Sequence, residues 1–142
     1  MFSETRIPAE TVTAYLATEY RVLGSHPFTL KAKQASPELR ALYQQEQVQS
    51  AAFLTAWNPY SETQTHTDNH AAQMRLLAEL SQRQLPVLPG LGCDPLGEWE
   101  AEESILILGI GLDDAKTLGN QFKQNALTWA GADATPQLIL LR

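Results

Sequence analysis

Amides, indoles and a carboxylate stand at places in this sequence where predicted strands and helices end. Trp57 and Asn58 follow one apolar run, Glu102 directly precedes another, and Gln124 follows a helical pattern. Amides recognise ligands by hydrogen bonds, whereas a carboxylate at the edge of a core can act as acid or base when its pKa is raised. Because binding groups concentrate at the ends of secondary-structure elements, these side chains together resemble a polar site.

Each of these residues also has a structural interpretation. Asn58 precedes a proline and fits an Asx-type turn. Glu102 belongs to the acidic segment 94–103, which holds five carboxylates and no base, and such a segment is typically a solvated loop. Its carboxylate could equally cap backbone N–H groups, and Gln124 could satisfy the free carbonyls at a helix end. The residues alone leave both interpretations open.

Two imidazoles and a carboxylate lie close together in His66, Asp68 and His70. Metal sites often use such ligands, but no third histidine and no regular ligand spacing accompany them. A polar loop with an aspartate cap explains the same residues. We therefore expect no resident metal, and we keep these three side chains as weak candidates.

No cofactor is expected. Gly109 and Gly111 form a G-x-G after a strand, but Asp113 and Asp114 place two negative charges where a pyrophosphate would bind. Cys93 is the only cysteine, so an intrachain disulfide is excluded, and no base stands near it in sequence. Cys93 is therefore interpreted as a thiol without a catalytic role.

Composition and charge restrict the partners. The 142 residues are 44% hydrophobic and 18% charged, which is typical of a globular chain and predicts one domain over residues 1–142. The net charge is −6, and all of the excess lies in residues 51–142, so nucleic acid is not an expected partner. No apolar run is long enough to span a membrane, and the acidic N-terminus is unlike a signal peptide. We expect a cytoplasmic protein whose oligomeric state the sequence leaves open.

The predicted elements mix helices and short strands without a regular βαβ period. Helix starts are indicated at Pro8, at the serine-capped Pro37 and at the Asp113–Asp114 pair, and another helix is predicted over 69–83 with Thr67 or Asp68 as its cap. Strands are predicted at 20–23, 28–30, 52–57, 104–108, 125–129 and 137–141, with a short edge strand at 85–88. Residues 89–99, which contain three glycines and two prolines, are expected to form an exposed loop or hairpin. The predicted fold is α+β: a single mixed or mostly antiparallel sheet of about six strands with helices packed on it.

Several of these segments together resemble a bacterial family that is known only as a domain of unknown function. Members of that family carry T-A-x-N-P-x-S, an Asn at a helix start, W-x-x-E-x-S and F-x-Q-N-A. In this chain the matching segments are 55–61, Asn69, 99–104 and 122–126, and Tyr15, Thr18, Tyr20 and the Ser36–Pro37 helix start fit as well. The resemblance covers nearly the whole chain. It implies a bacterial origin and one compact domain, and it implies no particular reaction.

The resemblance also groups the polar candidates into one set. With two indoles as walls, the predicted ligand-binding residues are Trp57, Asn58, Ser61, Asn69, Trp99, Glu102, Ser104 and Gln124. The favoured hypothesis is a binding or regulatory module that takes an unidentified small molecule or protein partner in an amide-rich pocket. A second hypothesis is a hydrolase or transferase in which Glu102 is the catalytic base and Asn58 and Gln124 are donors. A third is salt-sensitive binding of a basic protein by the acidic segment 94–103.

Overall fold

The computed structural model describes residues 5–142. The N-terminal segment is not expected to be a signal peptide. Its first residues, 1–4, lie outside the described residues. The helices are α1 (Ala9–Ala17), α2 (Pro37–Glu46), α3 (His66–Gln82) and α4 (Leu112–Gln121). The strands are β1 (Glu19–Val22), β2 (Phe28–Leu30), β3 (Ala51–Leu54), β4 (Val87–Cys93), β5 (Glu102–Leu108), β6 (Ala126–Ala130) and β7 (Gln137–Leu140), and a short 3-10 turn spans Pro59–Ser61.

These strands form one seven-stranded sheet in the order β2-β1-β4-β5-β3-β6-β7. Every neighbouring pair is antiparallel. The predicted α+β class, with helices on a mostly antiparallel sheet, is therefore confirmed, and the sheet has one strand more than the six expected. Within the described residues no helix has the length and apolar character that a membrane crossing requires.

β4 combines the end of the short strand predicted at 85–88 with the first part of the segment 89–99, which was expected to be an exposed loop or hairpin. Residues 89–93 are strand, and residues 94–101 connect β4 to its antiparallel neighbour β5. β4 lies in the interior of the sheet between β1 and β5, so the expectation that this strand lies at a sheet edge is wrong. Gly90 is required here for close packing: a Cβ atom at this position would lie 2.7 Å from Phe53 Cε2 and 2.9 Å from the Arg21 carbonyl oxygen. Glycine in this strand reflects the approach of a ring and a neighbouring backbone, which local sequence does not reveal.

Helix starts differ from the prediction by a few residues. Ser36 caps α2 as expected, because its Oγ accepts the Leu39 N–H at 3.0 Å. In α3, however, the cap is Thr65, whose Oγ1 accepts the Asp68 N–H at 3.1 Å, so this helix begins earlier than predicted. In α4 the cap position is Gly111, and the two aspartates lie in the first turn.

The helices cover both faces of the sheet. On one face, α3 and α4 pack through Leu76, Leu80 and Leu118 against Ile105 and Ile107. On the other face, the core is formed by Leu39 and Tyr43 of α2 with Phe53 and Leu106 of the central strands. Val12 of α1 packs against Leu138 of β7. Thr128 of β6 is the cross-strand partner of both Phe53 and Leu138, so Leu138 and α1 lie on the same face of the sheet as Phe53.

Antiparallel pairing also determines which strand ends meet. β3 and β4 end at the same end of the sheet where β1, β5 and β6 begin. The segments that follow β3 and precede β5 and β6 therefore lie side by side, although they are far apart along the chain. These are the segments that carry the predicted site residues.

Candidate functional site

A cavity of about 420 Å³ opens at this end of the sheet, where β3 and β4 end and β5 and β6 begin. Side chains from α1, β1, β3 to β6 and the turn after β3 line it. All of the predicted ligand-binding residues are among them: Trp57, Asn58, Ser61, Asn69, Trp99, Glu102, Ser104 and Gln124. Their roles in binding remain a prediction, but the structure brings these side chains together around one hollow.

Asn58 is the centre of the polar network. Its Nδ2 donates to Glu102 Oε2 at 2.9 Å, and its Oδ1 accepts from Asn69 Nδ2 at 2.9 Å and from the Gln64 N–H at 3.0 Å. The Asn58 N–H donates to Asn69 Oδ1 at 2.9 Å. Because a backbone donor fixes the oxygen of each amide, the orientation of both amides follows from the network. Asn69 is 1% exposed, so the wall behind Asn58 is dry.

The turn that presents Asn58 is strained. Asn58, Tyr60 and Ser61 have φ values of 46°, 55° and 62°, a region that side chains other than glycine adopt at a cost of about 1 kcal/mol or more each. The Tyr60 N–H donates to the Lys123 carbonyl at 2.7 Å, and this bond ties the turn to the segment before β6. Backbone strain of this kind clusters at binding and catalytic sites.

Glu102 supplies the half-buried carboxylate of the cavity. Burial raises its pKa above the ordinary value, and the hydrogen bond from Asn58 opposes this only in part. Within residues 5–142 the second oxygen, Oε1, accepts no hydrogen bond, since the Asn58 contact is made by Oε2. Glu102 is thus a carboxyl group with one fixed oxygen and one free acceptor beside the cavity.

The indoles of Trp57 and Trp99 and the side chain of Gln124 also line the cavity. Gln124 Nε2 donates to the carbonyls of Trp57 at 3.1 Å and Phe122 at 3.3 Å, so it joins the turn after β3 to the start of β6. The Trp57 ring lies 5.7 Å from the His66 ring, with the planes tilted by 38°. His66 and Trp99 also line the cavity. The walls therefore combine flat apolar surfaces with amides, as small-molecule sites commonly do.

Polar residues of α1 and β1 also line the cavity, although the site predicted from the sequence did not include them. Tyr15, Thr18 and Tyr20 line it, and Tyr15 shares a hydrogen bond with Ser61. Asn125 Nδ2 donates to both of those hydroxyl oxygens, at 3.2 Å to Tyr15 and 3.1 Å to Ser61. The family resemblance named these N-terminal residues, and that was the signal that could have placed them in the site.

Gly92 lines the cavity beside Glu102, its cross-strand partner. The two residues are paired across β4 and β5, so they face the same side of the sheet. A Cβ atom at Gly92 would meet only Ser104 Oγ, at 3.8 Å. The space above this glycine is part of the cavity, and any larger side chain there would occupy it.

The weak metal candidates are not brought together with each other. His66 Nε2 lies 2.6 Å from Glu100 Oε1, and His70 Nδ1 lies 3.7 Å from Glu103 Oε1. No group of three or more His, Cys, Asp or Glu side chains is placed to hold a metal ion in the part of the chain that the structure describes. Cys93 is buried and makes only a weak contact, 3.9 Å, with the Leu91 carbonyl.

Charge in the cavity is one-sided. Among its described lining residues there is no Lys or Arg, while Glu100 and Glu102 supply carboxylates and His66 supplies an imidazole. Ser61 is hydrogen-bonded to a phenol and an amide, so it lacks the base that a serine nucleophile needs. The arrangement can bind a polar ligand, and it can give or take a proton through Glu102.

Comparison with known proteins identifies a family and no function. The family described as "Protein of unknown function (DUF3293)" matches residues 54–127, just over half of the chain. No curated protein and no solved structure matches the chain. The matched segment contains every predicted ligand-binding residue, from Trp57 to Gln124. The chain therefore belongs to this family of proteins of unknown function, DUF3293.

Proposed function

We propose that this protein binds a small polar molecule in the cavity around Glu102. The observation that carries the proposal is the convergence of amides, indoles and two carboxylates from separate segments on a single hollow of about 420 Å³. Small-molecule sites in proteins have volumes of about 300–1,000 Å³ and combine apolar walls with a few placed polar groups. The cavity agrees with both features.

The strained turn and the free carboxylate oxygen support the same proposal. A turn with three left-handed residues other than glycine is unfavourable for folding, and backbone strain of this kind is often found at functional sites. Here it orients Asn58, which in turn holds Glu102. If the network were only structural, an uncharged side chain in place of Glu102 would serve folding better.

The test is a ligand panel measured by thermal shift on three forms of the protein. Gly92→Val puts a branched side chain into the cavity, and Thr29→Val adds the same side chain at an exposed position of β2. A ligand at about ten times its Kd adds about 1.4 kcal/mol of stability, equivalent to a rise in Tm of about 3–6 °C. Circular dichroism verifies that both variants are folded.

We expect ligands that raise the Tm of the wild type and of Thr29→Val but not that of Gly92→Val. Two results would contradict the proposal. One is a broad panel of amines, amides, sugars and carboxylic acids in which nothing raises the wild-type Tm. The other is a set of ligands whose effect survives unchanged in Gly92→Val.

A second candidate function is acid–base catalysis by Glu102. The observation that favours it is the raised pKa of this carboxyl group beside an amide donor, because a catalytic acid or base works best with a pKa close to the working pH. In that case Asn58 and Gln124 would orient the substrate. Once a ligand is known, chemical conversion that Glu102→Gln abolishes while ligand binding persists would favour the enzyme over the binding module.

A further inference from the structure

Four of the six side-chain amide hydrogens of Asn58, Asn69 and Gln124 are committed within the protein. Gln124 Nε2 uses both of its hydrogens on the backbone carbonyls of Trp57 and Phe122. Asn69 Nδ2 donates to Asn58, and Asn58 Nδ2 donates to Glu102 while keeping one further hydrogen. The oxygen of Gln124 makes no hydrogen bond within residues 5–142, so it is a free acceptor.

Four of the hydroxyl groups that line the cavity already donate within the protein: those of Thr18, Tyr20, Thr55 and Ser104. Thr18 donates to the Ala14 carbonyl at 2.8 Å, and Tyr20 donates to the Tyr15 carbonyl at 2.7 Å. Thr55 donates to the Glu103 carbonyl at 2.6 Å, and Ser104 donates to the Glu102 carbonyl at 2.9 Å. A hydroxyl group has one hydrogen and two lone pairs, so each of these oxygens can still accept but cannot donate to a ligand.

The charges of the lining point to the same kind of ligand. Oε1 of Glu102 is a free anionic acceptor, and the described lining offers no Lys or Arg to an anion. An anionic ligand would therefore meet the carboxylates of Glu100 and Glu102. The one described lining group that could carry a positive charge, His66, is paired with Glu100, so an anion is disfavoured in this half-buried cavity. The indole N–H of Trp57 is buried without a partner, so it adds no accessible donor.

We propose that the ligand is a cation rich in N–H donors, an ammonium, amidinium or guanidinium group, whose charged end binds Oε1 of Glu102 and whose flat apolar part lies between the indoles of Trp57 and Trp99. Two acceptors of the lining, Oε1 of Glu102 and the oxygen of Gln124, are free for donors on the ligand. Indole faces attract a cation or a planar group, by about 0.5–2 kcal/mol for a cation. The proposal rests on the proposed binding function and specifies its ligand class.

Three probes of nearly equal shape test the charge assignment: benzamidine, benzamide and benzoate, which are cationic, neutral and anionic. Each is titrated by calorimetry into the wild type, Glu102→Gln and Glu103→Gln. Glu103 is the matched control because it is the next residue of β5 and is absent from the cavity lining. For fragments this small we expect a Kd of about 1 mM.

We expect benzamidine to bind the wild type and Glu103→Gln within about twofold of each other, and to bind Glu102→Gln at least about tenfold more weakly, which corresponds to about 1.4 kcal/mol. Benzamide should bind more weakly than benzamidine, and benzoate should bind least. Benzoate that binds as well as benzamidine, or benzamidine that binds Glu102→Gln like the wild type, overturns the charge assignment.

Failure of this proposal can be distinguished from failure of the binding function. If benzamidine does not bind but neutral ligands of the panel do, and Gly92→Val removes their effect, the cation assignment is wrong and the binding site stands. If neither the panel nor the three probes bind the wild type, both proposals are wrong.

Discussion

Asn58 and Asn69 hold each other by two hydrogen bonds that run in opposite directions. The Asn58 N–H donates to Asn69 Oδ1 and Asn69 Nδ2 donates to Asn58 Oδ1, each at 2.9 Å. The first bond fixes a backbone in a left-handed conformation, and the second fixes the amide that donates to Glu102. The position of the Glu102 carboxylate therefore depends on a buried side chain of α3.

Replacement of this buried amide should destabilise the protein. Asn69→Ala leaves the Asn58 N–H and Oδ1 each without one partner, and each lost bond of a buried group costs about 1–3 kcal/mol. We expect the free energy of unfolding, measured by urea denaturation, to fall by about 2–4 kcal/mol. Thr67→Ala, at an exposed position of the same helix, should change it by less than about 0.5 kcal/mol. Equal small effects of both variants would show that the amide pair has no role in stability.

Glu102→Gln should stabilise the protein at neutral pH. Burial raises the pKa of Glu102 in the folded state above its ordinary value of 4.5, so the folded state favours the protonated carboxyl. Stability linked to this group is therefore fully present below about pH 4.5 and is lost as the pH rises through the folded-state pKa. Gln resembles the protonated form, so its advantage over Glu102 should be absent at about pH 4 and present at about pH 7.

The measurement is the Tm of Glu102→Gln, Glu103→Gln and the wild type at both pH values. Glu103→Gln, at a side chain that is 44% exposed, should lack the gain that Glu102→Gln shows at the higher pH. A Glu102→Gln variant that is less stable than the wild type at both pH values would mean that the carboxylate serves the fold, and the case for a functional site would lose its electrostatic support.

Binding of the cationic probe should weaken as the pH falls. The ionised Glu102 binds the cation, and because its pKa is raised the loss should begin at a higher pH than for an ordinary carboxyl group. Glu100 and His66 also line the cavity and contact each other, so the titration is repeated on His66→Gln. We expect this variant to keep the pH dependence of the benzamidine Kd and Glu102→Gln to lose it. The reverse pattern would assign the effect to His66.

Two glycines of one strand should respond differently to the same substitution. Gly90→Val places its Cβ against the Phe53 ring and the Arg21 carbonyl, so we expect a loss of about 1–3 kcal/mol in the free energy of unfolding. Gly92→Val meets only Ser104 Oγ, at an ordinary contact distance, so we expect a smaller loss of stability and a loss of binding. Similar destabilisation by both variants would mean that the space above Gly92 is not free.

Periodicity predicted the elements that local sequence determines. The Ser36 cap, the apolar run of β5 and the two C-terminal strands were found close to their predicted limits. β4 was predicted only in part, as a short strand at 85–88, because proline and glycine usually indicate turns, whereas here Gly90 accommodates a ring that belongs to a distant strand. Such a requirement arises only after the sheet has assembled, so it cannot be read from the segment itself.

The composition of the site was more predictable than its geometry. Asn58, Glu102 and Gln124 stand at strand and helix ends, and that placement is visible in the sequence. That these ends meet depends on the antiparallel order of the strands, which is set by contacts between distant residues. The contribution of Gly92 was invisible because this residue contributes empty space.

The indole N–H signals test the central claim that the cavity is the binding site. Trp57 and Trp99 line it, whereas the Trp129 indole donates to the Ile110 carbonyl at 3.0 Å, outside the cavity. In a ¹⁵N spectrum recorded during a benzamidine titration, we predict saturable shifts of the Trp57 and Trp99 indole signals and a stationary Trp129 signal. A titration that saturates while Trp57 and Trp99 stay in place, or that moves Trp129 instead, would contradict the account.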